Sequence, residues 1–127
     1  MMRPWCVGLV LLLTAPLAAA PKPITPEGDY TCRGETNGRP YSLMLKVEAD
    51  EAVYKTAWFD ERGIMQYGYG ILDAGRLAVV IVNARGNGLG VVMYTVERGT
   101  LTGVWSGGDG RVEKEVCTAK AVRSARR

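Results

Sequence analysis

From Asp29 onward, apolar and polar residues alternate in short runs, each closed by a turn rich in glycine, asparagine or aspartate. The runs predict strands over Asp29–Gly34, Tyr41–Glu48, Ala52–Trp58, Met65–Leu72, Leu77–Asn83, Gly90–Glu97, Thr100–Ser106 and Val112–Thr118. The segments between them, among them Asn37-Gly38, Asp60-Glu61-Arg62-Gly63, Arg98-Gly99 and Gly107-Gly108-Asp109-Gly110, have turn composition. A parallel crossover needs about a dozen residues or more, so connections this short join antiparallel neighbours. The predicted fold is all-β, an antiparallel meander of eight strands closed into a small β-barrel or barrel-like sandwich.

Alternation also assigns faces. Tyr41, Leu43, Leu45 and Val47 share one side of their strand, Tyr54, Thr56 and Trp58 one side of the next, and Leu101, Gly103 and Trp105 one side of a later strand. Leu77 to Val82 is apolar on both faces, as expected where something packs on each side or an apolar patch is left exposed. Glycines within strands, Gly68, Gly70, Gly90 and Gly103, weaken pairing unless they make room for a large neighbour or a bend.

The start of the chain reads differently. Arg3, the apolar stretch Val7 to Leu13 and the small residues Ala18-Ala19-Ala20 have the order of a signal peptide over residues 1–20. The stretch is shorter than the roughly 20 residues a membrane-spanning helix needs, so export is expected, with a periplasmic or secreted product and no transmembrane segment in the mature chain. Residues 21–119 then form a single domain with one modest core. Residues 120–127 form a basic tail: Lys120, Arg123, Arg126 and Arg127 carry +4, whereas Lys22 to Ala119 holds 11 basic and 13 acidic residues. With no basic stripe in the folded part, nucleic acid is not an expected partner.

Cys6 falls in the export segment, which leaves Cys32 and Cys117, in the first and last strands, to pair as a disulfide in an oxidising compartment. Such a bridge sets strand one beside strand eight. No metal or cofactor is expected: the chain has no histidine, and two thiolates do not complete a zinc site. Parity sets a conflict, however, because Cys117 shares its face with Glu113 and Glu115, while the opposite face carries Lys114. Either the bridge lies outside the barrel, or a bulge between Lys114 and Cys117 turns the last strand.

Candidate chemistry is sparse. Gly86-Asn87-Gly88-Leu89-Gly90 is followed by a β-run and not by the helix that a dinucleotide site requires, so it reads as a hairpin. Asp60 and Glu61 fall in a turn, Ser42 and Ser106 have no histidine base, and no catalytic residue is expected. An eight-stranded barrel is just wide enough to be filled by side chains or to hold one small ligand. If it is hollow, Tyr54, Trp58, Tyr69, Tyr94 and Trp105 are the expected pocket walls, with tyrosine hydroxyls as polar anchors.

The strings Gly28-Asp29-Tyr30-Thr31-Cys32-Arg33-Gly34, Trp58, Tyr67-Gly68-Tyr69-Gly70, Leu77 with Val79, Tyr94 and Leu101-Thr102-Gly103-Val104-Trp105 resemble a widespread family of small exported bacterial β-domains. That family has the pattern G-x-Y, G-x-x-Y, W, Y-x-G-x-G, L-x-V, Y, G-x-L-x-G-x-W and G-x-E-x-L, and the chain departs from it at the last element, where Val112–Val116 lacks the glycine before the acid. The resemblance implies the fold and no reaction. Small periplasmic lysozyme inhibitors share a Tyr-x-Cys start, but their S-G-x-x-Y loop does not occur here. The expectation is a non-enzymatic, exported binding module for a small apolar or amphipathic molecule. The alternative is an envelope protein that binds another protein, or inhibits it, through loops or an exposed strand.

Overall fold

A computed structural model describes residues 10, 12–13 and 22–121. The predicted signal-peptide cleavage site and most of the basic tail lie outside the described residues. Eight strands follow in chain order: β1 (Gly28–Thr36), β2 (Arg39–Asp50), β3 (Val53–Asp60), β4 (Gly63–Asp73), β5 (Arg76–Asn83), β6 (Leu89–Glu97), β7 (Thr100–Ser106) and β8 (Glu113–Ala119). Each pairs antiparallel with the next and β8 returns to β1, which closes the barrel. No helix among the described residues is long and apolar enough to cross a membrane.

Turn chemistry drives the meander. Asn37 and Gly38 both adopt positive φ, 52° and 74°, the mirror-image turn whose twist matches that of the strands it joins. Two-residue turns close every hairpin at one end of the barrel, after β2, β4 and β6. The other end carries the longer loops 84–88 and 107–112 and forms the mouth.

Inward positions follow the alternation read from the sequence. Leu45, Val47, Trp58, Leu77, Val79, Ile81, Val92, Tyr94, Val96 and Leu101 make the core together with Tyr30, Cys32 and Cys117. Pro26 is fully buried and its carbonyl accepts a 2.8 Å hydrogen bond from the Tyr30 hydroxyl, so the segment before β1 packs across the closed end. Gly68 and Gly70 leave the space that Val79 fills: a Cβ at either would stand 2.8 Å from a Val79 methyl. The ladder between β3 and β4 slips between Trp58 and Phe59, leaving Met65 unopposed beside the mouth.

Cys32 and Cys117 stand directly opposite each other on β1 and β8, at disulfide-bonding distance, 2.04 Å between sulfurs. Both side chains point inward and are fully buried. This corrects both resolutions offered for the parity conflict. The pair is not outside the barrel, and β8 pairs in continuous register with β1 and β7, with no bulge. Glu115 therefore points into the barrel as well.

Candidate functional site

A carboxylate inside a small barrel is costly unless it is well hydrogen-bonded, and the neighbouring strands show how Glu115 is accommodated. Its partners across the ladders are both glycines, Gly34 on β1 and Gly103 on β7. One strand further on each side, at the same register, stand Tyr41 on β2 and Tyr94 on β6. Each tyrosine lies over the glycine next to it and reaches Glu115 from two strands away. The Tyr41 hydroxyl donates to Oε1 at 2.9 Å, and the Tyr94 hydroxyl donates to Oε2. A Cβ on Gly34 would stand 2.5 Å from the Tyr41 hydroxyl oxygen, and one on Gly103 2.6 Å from the Tyr94 ring. The glycines are what permits the contacts.

Burial raises the Glu115 carboxyl above its ordinary value of 4.5, while the hydrogen bonds from Tyr94 and Tyr41 pull it back only in part. Both tyrosine hydroxyls are raised, first by burial and then by the facing carboxylate, so they remain protonated donors. Because the folded protein holds the Glu115 proton more tightly than the unfolded chain does, this residue's contribution to stability falls as pH rises from 4.5 through the raised value. Relative to Glu115→Gln, the wild type is expected to lose thermal midpoint across that window. A constant difference between the two proteins would show that Glu115 does not titrate this way.

Above the disulfide, towards the mouth, the interior is hollow. A cavity of about 230 Å³ is lined by Tyr41, Leu43, Trp58, Tyr94, Trp105 and Glu115, with Thr36, Met65, Gln66, Ile81 and Val92 completing it. Tyr41 and Trp105 meet edge to face with ring centroids 6.2 Å apart. Trp105 Nε1 and Glu113 Oε2, on directly opposed residues, are buried with no hydrogen-bond partner among the described residues. A second, open cleft lies where β1 and β8 part beyond Gly34 and Glu115. Asn37 N–H bridges it to Glu113 Oε1 at 3.2 Å, and Tyr41 and Glu115 border both spaces.

Of the expected pocket walls, Trp58, Tyr94 and Trp105 line the mouth cavity. Tyr54 points inward but belongs to the closed end, opposite Gly70 and packed on the core. Tyr69 is a correction. It points outward and is 58% exposed, because an odd position in β4 cannot share the face of Gly68 and Gly70. Sequence reasoning left out Tyr41 and did not place Glu115 in the site. The signal was present as two glycines, Gly34 and Gly103, each one ladder position from a tyrosine. Asp60 and Glu61 close the β3–β4 hairpin at the surface, where Asp60 Oδ1 accepts from Arg62 N–H at 2.8 Å.

Cys32, Glu115 and Cys117 bring possible ligand atoms within 4.8 Å of one another, but the sulfurs are bonded to each other, which leaves Glu115 as the one free donor of the cluster. The fold and the site together define a closed eight-stranded barrel with a polar-floored cavity at one end. Compared with protein-family models, curated proteins and solved structures, the chain finds no match.

Proposed function

We propose that the protein is a non-enzymatic binding module, exported to the periplasm or beyond, that takes a small amphipathic molecule into the mouth of its barrel. One observation carries this reading: the interior is packed at one end and hollow at the other, and in the hollow end aromatic walls surround a convergent polar group, Glu115 with Tyr41 and Tyr94. At about 230 Å³ the cavity is below the roughly 300 Å³ at which sites for drug-sized ligands begin, which favours a small molecule over a lipid chain. Trp58 and Trp105 report on occupancy directly. Neutral, anionic and cationic amphiphiles are therefore to be titrated against tryptophan emission, with native mass spectrometry of the protein purified from an envelope fraction. At least one class is expected to shift the emission and appear as an adduct. Unchanged emission with a bare mass throughout would end this reading.

The outer surface favours a second reading, protein binding. On β4, β5 and β6 the outward row Tyr69, Val80 and Val91 lies in register beside Ile71, Ala78 and Met93, without a charged side chain among them. An apolar face of this kind suits a protein partner. Val80→Asp combined with Val91→Asp is expected to abolish capture of an envelope protein that the wild type holds. Equal capture by both would exclude this face.

A further inference from the structure

Glu115 is buried and hydrogen-bonded, but among the described residues no basic group pairs with it. No lysine or arginine among the described residues lines the mouth cavity. Among the described residues the ion pairs are Lys46 with Glu48, Lys55 with Asp50 and Arg111 with Asp109, all exposed and none involving Glu115. Arg33 and Lys114, on the two strands nearest, are exposed on the outer face of the lateral cleft. Two tyrosine hydroxyls solvate the carboxylate without supplying a positive charge.

We propose that the mouth cavity is an aromatic cage for a small organic cation, an alkylated or quaternary ammonium group seated among Trp58, Trp105 and Tyr41 and facing Glu115. The inference rests on reading this cavity as a ligand site. A cation gains twice there: from the electron-rich rings, in a setting where desolvation strengthens the attraction, and from a carboxylate that is hydrogen-bonded by Tyr41 and Tyr94 but has no counter-charge among the described residues. An anionic ligand would face Glu115 directly. A purely apolar one would remove remaining water from the carboxylate and return nothing for it. A hard metal ion favours several carboxylate and carbonyl oxygens, whereas the lining offers one carboxylate, both of whose oxygens already accept from tyrosines, and beyond it the Gln66 amide and the Thr36 hydroxyl. The unpartnered Glu113 Oε2 on the same strand adds negative potential on this side of the barrel.

The test uses protein purified from cells expressing the full chain, titrated by calorimetry and tryptophan emission with choline, its uncharged isostere dimethylbutanol, and dimethylbutyrate as the anion of like shape. Choline is expected to bind about tenfold or more tightly than dimethylbutanol, and Glu115→Gln to reduce that preference to about twofold. If dimethylbutanol or dimethylbutyrate binds as tightly as choline, the cage is overturned while the ligand-binding reading stands. If no compound in this set or in the wider amphiphile panel alters emission, both fall. Should Glu115→Gln not fold, Trp105→Leu removes a half-buried wall. It is expected to weaken choline by about tenfold and dimethylbutanol by less than about threefold, and equal losses for the two would overturn the cage.

Discussion

Replacing both cysteines, Cys32→Ala with Cys117→Ala, is expected to destabilise the protein by about 4 to 5 kcal/mol, the value the chain-entropy model gives for closing a loop of this length. The two residues are 85 positions apart, and they join the one strand pair that no hairpin holds together. Every other ladder forms between strands adjacent in sequence, whereas β1 and β8 must find each other after the whole meander has formed, and they share only the positions from Tyr30 to Gly34. The covalent link removes that search from the folding problem. A domain's stability is normally about 5 to 15 kcal/mol, so the loss is a large part of the total. Urea unfolding of the wild type and the double variant under non-reducing conditions measures it. A change below about 1 kcal/mol would show that closure does not depend on the bridge.

The second large effect is expected at Gly103. Its Cβ in Gly103→Ala would fall 2.6 and 2.7 Å from two Tyr94 ring atoms, and that ring is fully buried and held by its hydrogen bond to Glu115, so it can move only by giving up that bond. Overpacking of this kind costs about 1 to 3 kcal/mol. Moving the ring also withdraws a hydrogen bond from a buried carboxylate, at about 1.5 to 3 kcal/mol more. A total near 3 kcal/mol or above is expected from denaturant midpoints. The cause is separable by a double-mutant cycle, since Gly103→Ala is expected to cost little in a Tyr94→Ala background. Gly34→Ala provides the contrast. Its Cβ would also stand 2.6 Å from the Lys114 backbone oxygen, so Tyr41→Ala should not rescue it. Equal costs for Gly103→Ala in both Tyr94 backgrounds would refute the packing account.

Much of the fold is legible in the order of residues because its causes are local. Asn37-Gly38 can adopt the left-handed turn, and Leu43, Leu45 and Val47 alternate with polar neighbours, so strand limits and inward faces follow from the neighbourhood of each residue. Tyr69, expected as a pocket wall, lies on the outer surface. Its exposure follows from parity, which puts Gly68 and Gly70 inward and Tyr67 and Tyr69 outward. Leu77 to Val82 shows the same division: Leu77, Val79 and Ile81 fill the core, and Ala78 and Val80 belong to the exposed apolar face.

The eight strands, their antiparallel order and the closure that a Cys32–Cys117 link implies are all readable from the order of residues. Which way β8 faces, and with it the site, emerges from contacts between distant strands. Read alone, β8 has acids on one face and a lysine on the other, so alternation cannot choose between them. The choice is made by partners from other strands: Tyr41, 74 residues from Glu115, and Tyr94, 21 residues away, each lying over a glycine. A buried carboxylate is tolerated only where donors converge on it, and that convergence exists once the barrel has closed.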